Sequence, residues 1–379
     1  MTTVKPFSIA SIEAFAYRVP TKPIKVSFGT FRDRPMVLVR IVDSDGAEGW
    51  GEVWCNWPAV TAEHRARLTV DIGERLIGRT LETPGHAFHA LSSELEVLAL
   101  QTGEYGPIDA AIAGIDIALW DLAARKQNLP LYRALGAGPR ERLPVYATGI
   151  NPDEPEKFAA ARYAEGHRAF KLKTGFGNER DLRNLTAMRE AVGPDAVLTC
   201  DANQALSADQ AIDFARAAAP IGLQWFEEAI RVDAPLAEWK RLAAASLIPL
   251  AGGENFQGKM FDDAIGDNVL KVFQPDVTKW GGVTENYRVG KAVVDTGKRY
   301  CPHFFAGGVA LLASLHCLTA AGGSGLLEFD CWPNANRELV VGDLLPVSDG
   351  SVPVPQGPGL GATPDTAGLE QYRTWPPRH

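Results

Sequence analysis

Between about residue 143 and residue 330 the chain repeats one pattern. Short apolar runs ("LPVYATGI", "AFKLKTG", "AVLTCDAN", "LQWFEE", "IPLAGGEN", "VFQPD", "RYCPHF" and "GLLEFD") end on polar side chains. Ala-rich helical stretches such as "ALSADQAIDFARAAAP" separate them. Ionisable groups fall at the ends: Lys173, Asp201, Glu227, Glu254, Asp276, His303 and Glu328. The steps between them are 28, 26, 27, 22, 27 and 25 residues, the pitch of one strand, one helix and two loops. Eight units at this pitch predict an α/β fold with a TIM-type parallel barrel, whose catalytic groups stand at the C-terminal ends of the strands.

In "AFKLKTG", Lys171 and Lys173 lie one residue apart. On a strand they share one face, with Phe170 and Leu172 on the other. Two ammonium groups on one interior face repel each other. Asp201, Glu227 and Glu254 end three consecutive strands, and adjacent strands lie about 4.8 Å apart. Three carboxylates would therefore converge. A hard divalent cation resolves their repulsion, because Mg²⁺ takes oxygen ligands and needs few of them from protein. Glu228, next to Glu227, is expected to face away and act structurally. His303 in "CPHFF" follows Asp276, which can accept from one ring nitrogen and orient the imidazole. His316, inside the helical "LLASLHCLTA", reads as packing.

The predicted face has a lysine base on one side, a histidine base on the other and a carboxylate-bound metal on the floor. It suits removal of a proton next to a carboxylate, which builds a second negative charge as an enediolate. Two neighbouring lysines should depress each other's pKa, giving one neutral amine as base and one ammonium to hold the substrate. Glu328 could donate a hydrogen bond to the substrate carboxylate if protonated.

Composition narrows the alternatives. Across 379 residues, 38 Lys and Arg stand against 46 Asp and Glu, which gives no support for nucleic-acid binding. No run approaches the ~18 apolar residues of a membrane helix, and the N-terminal stretch lacks a secretory apolar core. The five cysteines are widely spaced with no C-x-x-C, so a zinc or disulfide framework is not expected and a cytoplasmic location is.

The first third reads differently. "SIASIEAFAYRVP", "PMVLVRIVDSDG" and "AEGWGEVW" predict strands, with Asp45-Gly46 turning between the last two. "PIDAAIAGIDIALWDLAARK" predicts a helix with Pro107 at its first turn and an apolar stripe from Ile108 to Leu122. The Pro/Gly-rich end reads as a tail returning over this α+β region, and its G-x-G-x-G as a loop. The expected division is residues 1–136, 137–342 and 343–379.

These motifs together ("KLK", "DAN", "FEE", "GGEN", "QPDVTKWGG", "PHFFAG" and "LLEFD") resemble the enolase superfamily, specifically its mandelate racemase and acid-sugar dehydratase subgroup. "AAIAGIDIALWDLAARKQNLPLYRALGA" looks like that family's capping-domain helix and its exit, and "PGLG" like its C-terminal return. The resemblance implies a (β/α)7β barrel with an N-terminal α+β capping domain completed by the C-terminal tail. It implies Mg²⁺ on Asp201, Glu227 and Glu254. It makes Lys173 one base, with Lys171 beside it on the substrate carboxylate, and His303, oriented by Asp276, the acid/base of the other face. Glu328 would hold the carboxylate or enediolate, and Asn203 the α-hydroxyl. Specificity would come from two capping loops, around Lys25–Phe31 and Trp54–Trp57. One departure is Ala229, where relatives usually carry proline.

The expected activity is dehydration of a sugar acid to a 2-keto-3-deoxy acid. A racemase, epimerase or cycloisomerase is the alternative on the same site. A barrel glycosidase leaves both lysines unexplained, and a non-catalytic sugar-acid binding protein predicts a lost base. The expected partners are a small carboxylate substrate and further copies of the same chain, with no nucleic acid and no membrane.

Overall fold

The structure is a computed structural model that describes residues 5–58 and 60–377. Three antiparallel strands open the chain: β1 (Phe7–Val26), β2 (Gly29–Asp43) and β3 (Glu48–Val53). Three helices follow, α1 (Thr61–Gly73), α2 (Pro84–Thr102) and α3 (Tyr105–Lys126), with a two-residue strand β4 (Thr80–Leu81) between the first two. The β1–β2 hairpin runs from Ile9↔Asp43 to Val26↔Gly29. The segment expected to be a loop at Lys25–Phe31 is therefore the tip of this hairpin.

Helix α3 departs from its expected form. It begins at Tyr105, two residues before Pro107, and almost every position from Ala110 to Ala124 is buried, not one stripe alone. One face of α3 meets the sheet and another packs on α2 and on a later helix. Glycine allows the closest approach. A Cβ on Gly51 of β3 would lie 1.9 Å from the Gly114 carbonyl oxygen of α3, and one on Gly49 2.2 Å from that of Ala118.

After the short α4 (Leu131–Ala134) the chain alternates strictly between strand and helix. The order is β5 (Arg142–Ile150), α5 (Pro155–Ala164), β6 (Ala169–Lys173), α6 (Asn178–Val192), β7 (Val197–Asp201), α7 (Ala208–Ala218) and β8 (Phe226–Glu227). It continues with α8 (Leu236–Ala245), β9 (Leu250–Gly252), α9 (Lys259–Asp267), β10 (Val272–Phe273), α10 (Gly282–Asp295), β11 (Arg299–Tyr300), α11 (Gly308–Ala321) and β12 (Leu327–Asp330). These strands form one curled parallel sheet in the order β11-β10-β9-β8-β7-β6-β5-β12. The tail adds α12 (Ala335–Val341), β13 (Ser351–Pro353), antiparallel to β5, then α13 (Thr366–Leu369) and β14 (Arg373–Trp375), antiparallel to β1.

The curled sheet joins the N-terminal layer through buried polar ties. Asp116 of α3 accepts from the Thr284 amide (2.9 Å) and hydroxyl (2.6 Å) of α10. Glu52 of β3 accepts from the Gly307 and Ala310 amides at the start of α11. Arg34 of β2 pairs with Asp330 of β12 at 2.6 Å, with side chains 3% and 0% exposed.

Candidate active site

Strand β6 aligns with β7 so that Lys173 lies beside Asp201, and β7 with β8 so that Asp201 lies beside Glu227. These three end their strands as the sequence pattern requires. Glu254, Asp276 and His303 instead lie in the loops just beyond β9, β10 and β11, and Glu328 lies inside β12. Strands β9 to β11 are short, so loops and not strands aim Glu254, Asp276 and His303. Trp54, Trp57, Asn203, Lys173, Glu254, His303 and Glu328 line one cavity of about 210 Å³. Lys171, Asp201, Glu227 and Asp276 are buried directly behind that lining.

The question of the paired lysines has an electrostatic answer. Lys171 is fully buried, 2.7 Å from Glu227 and 2.8 Å from Glu328, with its ammonium over the Tyr146 ring. Lys173 pairs with Asp201. Burial pulls both ammonium groups down, and Lys171 also pulls down Lys173, but the carboxylates outweigh these effects and both pKa values rise. The expectation that each lysine would lower the other to give a neutral amine does not hold in this arrangement, because each has its own counter-ion.

Glu328 is also corrected. Burial pushes its carboxyl up, yet Lys171 and His303 prevail and hold it at about 2. It is an acceptor here, from Tyr146 Oη (3.0 Å), the Phe304 amide (3.0 Å) and Lys171. His303 lies between two carboxylates, Nδ1 2.7 Å from Asp276 and Nε2 2.5 Å from Glu254. Burial opposes its charge, but these partners raise its pKa to about 10. Asp276 is held in turn by the Thr278 amide (2.8 Å) and hydroxyl (2.6 Å).

Two site residues were missed by the sequence pattern. Glu228 was expected to face away by strand alternation. Strand β8 ends at Glu227, and Glu228 takes a left-handed backbone (φ 40°) that turns it into the cavity lining, where Asn255 Nδ2 donates to it at 2.7 Å. Burial, then Glu254 and Asp201, push its pKa well up. Lys279 of "QPDVTKWGG" also lines the cavity, 3.4 Å from Glu254 and with its ammonium 5.1 Å from the centre of the Trp54 ring. Its signal was a third lysine one turn beyond Asp276. His316 is core packing: Nδ1 accepts from the Tyr132 amide at 3.3 Å, and the other ring nitrogen faces the Leu360 carbonyl oxygen at 3.2 Å.

Among the described residues no three carboxylate, imidazole or thiol groups close on one point as a formed metal centre. The expected convergence is not seen, because Asp201, Glu227 and Glu254 have each turned onto a cation. Their chemistry still fits a hard divalent ion. Five buried carboxyl groups (Asp201, Glu227, Glu228, Asp276 and Glu328) and the part-buried Glu254 face three ammonium groups and one imidazole, so oxygen donors outnumber the cations. Burial, reinforced by Asp201 and Glu328, raises Glu227 to about 7. Asn203 Oδ1 is buried without a partner. All five cysteines are free and buried, and none lines the cavity.

Comparison with known proteins gives the family. Residues 10–136 match the mandelate racemase / muconate lactonizing enzyme N-terminal domain, and residues 155–368 match the enolase C-terminal domain-like model. The D-galactarolactone cycloisomerase of Agrobacterium fabrum is 34% identical, over 93% of this chain and 94% of that protein. The arabinonate dehydratase of Saccharolobus solfataricus is 29% identical, over 90% and 92%. A crystal structure from Bordetella bronchiseptica RB50, named mandelate racemase/muconate lactonizing enzyme, superposes with a TM-score of 0.90 at 45% identity, covering 97% of this chain and 99% of that one. A racemase from Streptomyces coelicolor A3(2), solved with bound magnesium, superposes at 0.85 with 27% identity, covering 97% and 100%. No helix among the described residues is long and apolar enough to cross a membrane. With both domain models matched in order and the ionisable groups gathered at one end of the curled sheet, the chain belongs to the enolase superfamily and is an enzyme of its mandelate racemase subgroup.

Proposed function

We propose that the chain removes the proton α to the carboxylate of a small acid, through an enediolate, and that the outcome is loss of water from a sugar acid to give a 2-keto-3-deoxy acid. The observation that carries this reading is that Lys173 and His303, from opposite parts of the strand order, open into one cavity above buried carboxylates. Lys173, held as an ammonium by Asp201 in this arrangement, would exchange the α-proton on one face once Asp201 no longer serves as its counter-ion. His303, aligned by Asp276, delivers a proton to the leaving hydroxyl on the other. Lys171 and Glu328 orient the substrate carboxylate, Asn203 reaches the α-hydroxyl, and Trp54 and Trp57 form part of the wall. Asp201, Glu227 and Glu254 would hold Mg²⁺, which supplies positive charge that favours the enediolate over the ground state.

A second reading, racemisation, epimerisation or cycloisomerisation, rests on the same pair of groups, since acid/base residues on both faces permit reprotonation. A relative named as a cycloisomerase supports it. The same proposal takes the curled sheet as a closed (β/α)7β barrel and divides the chain into a capping domain (1–136), a barrel (137–342) and a C-terminal return (343–379). The β14–β1 pairing supports that return. Cytoplasmic location and assembly as a homo-oligomer belong to this reading too.

The test is an acid-sugar panel with Mg²⁺, assayed for α-keto acid and for α-proton exchange in D₂O by NMR. Lys173→Ala should lose more than the ~10²–10⁴-fold typical of one acid/base group. His303→Asn should block dehydration while leaving Lys173-dependent exchange. Dehydration at the parent rate in His303→Asn would return that histidine to a structural role.

A further inference from the structure

A second cavity, of about 150 Å³, shares Trp54, Glu254, Asn255 and Lys279 with the first and extends away from it to α1 and α3. Arg65 of α1 and Gly106 of α3 line that far end, and neither Lys173 nor His303 reaches it. Arg65 is 7% exposed, yet no carboxylate among the described residues pairs with its guanidinium. Its Nε is buried without a partner, and Nη1 meets His64 Nδ1 at 3.2 Å. Glu104 lies beyond that imidazole, 3.5 Å from the other ring nitrogen and with its side chain 43% exposed. Burial pulls the Arg65 pKa down, and Cys55 and Glu104 do not make up the loss. Arg34, no less buried, has Asp330 at 2.6 Å. A buried cation left unpaired is costly, so the partner of Arg65 is to be sought outside the chain.

Two further sources of positive charge border the same space. Gly106 belongs to the first turn of α3, and no side chain caps this helix of 22 residues. Its first amides have no acceptor within the helix, and its dipole is positive at this end. Lys279 lines the cavity as well, 3.2 Å from Asn255 Oδ1. Glu254 is the one carboxylate on the lining among the described residues, and Lys279 and His303 already hold it. Arg65 and the start of α3 are left without an answering negative charge.

We propose that this second cavity binds a small oxyanion, either a free sulfate- or phosphate-like ion or a short carboxylate, on the Arg65 guanidinium beside the start of α3. The planar fork of a guanidinium matches two oxygens of such a group. Trp54 and Lys279 line both cavities, so the ion would sit one side chain away from the first. The proposal does not depend on the α-proton reading.

The test titrates sodium sulfate and sodium acetate into the full chain with Mg²⁺ present, at constant ionic strength, with binding read by calorimetry and by melting temperature. At least one is expected to bind saturably, and the tighter of the two tells a free inorganic ion from a carboxylate as the source. Arg65→Met keeps the length of the side chain and removes the charge. It should weaken binding at least about ten-fold, the loss expected for one charge-assisted hydrogen bond. In low-salt buffer free of both ions its melting temperature should equal or exceed the parent's, because a stranded charge has gone. Lys173→Ala, which alters the first cavity, should bind the ion as the parent does. Should Arg65→Met fail to fold, selenate soaked into crystals of the parent locates the ion by its anomalous signal, expected beside Arg65. The proposal is overturned if neither ion binds saturably, if Arg65→Met keeps the parent affinity or melts clearly lower without the ions, or if Lys173→Ala loses binding. Selenate found at surface lysines alone, an adventitious ion only, overturns it too.

Discussion

The Arg34–Asp330 pair tests how the N-terminal layer is fastened to the parallel sheet. Replacing Asp330 by Asn keeps the shape and removes the charge. The partner guanidinium then stays 3% exposed with no counter-ion at 2.6 Å, at a point where β2 meets β12. Breaking such a pair from one side costs about 3–5 kcal/mol, because an uncompensated buried charge remains. Asp330 Oδ1 also accepts from the Trp332 amide at 3.0 Å, a bond that the Asn amide oxygen can keep, so charge loss should dominate. Arg34→Met should cost a similar amount and slacken the packing of Phe305, whose ring centre lies 4.3 Å from the guanidinium. The double variant Arg34→Met/Asp330→Leu should regain at least about 2 kcal/mol over the sum of the singles, since neither charge is then stranded. Urea unfolding followed together by tryptophan fluorescence and far-UV circular dichroism gives these values, and coincident transitions verify that they refer to one event. A single-variant loss below about 1 kcal/mol, or strict additivity in the double variant, would refute the reasoning.

Other perturbations have equally definite outcomes. His316 is buried neutral with its pKa lowered from 6.5 to about 4 by burial, so the unfolded chain binds the extra proton. This contribution, about 3 kcal/mol, is complete above pH 6.5 and lost as pH falls toward 4; His316→Gln should flatten that limb of a urea-midpoint pH profile. Glu52 and Asp116 act oppositely, because burial raises each to about 7. Their folded forms retain protons, so stability should decline as pH rises from about 4 to 7, and Glu52→Gln should remove part of that decline. Gly51→Ala places a methyl group 1.9 Å from the Gly114 oxygen and should cost about 3 kcal/mol in thermal unfolding. Chelation should abolish turnover and Mg²⁺ restore it. Added Mg²⁺ should raise the melting temperature of the parent more than that of Glu254→Gln, and full activity after rigorous chelation would remove the metal from the proposal.

The sequence by itself determined the alternation of strand and helix, because each unit carries its own apolar run and its own breaker. Spacing alone put Lys173, Asp201 and Glu227 at aligned strand ends, since period-two alternation and a parallel ladder leave little freedom. It also paired His303 with Asp276, two loops at neighbouring strands. It did not determine the direction of side chains beyond the short strands. Strand β8 stops after two residues, so Glu228 obeys a left-handed φ and not the strand period, and enters the cavity. Charge states were likewise beyond it. The lysine pair predicted mutual depression, but three-dimensional folding brought Glu227, Glu328 and Asp201 to the ammonium groups from strands 56, 157 and 28 residues away, and Coulomb energy depends on those distances, not on separation along the chain. The cavity wall was decided last, by tertiary structure alone: Phe31 and Trp57 come from the first sixty residues and Phe305 from beyond three hundred, and only packing of the hairpin tip on the sheet end makes them one apolar surface.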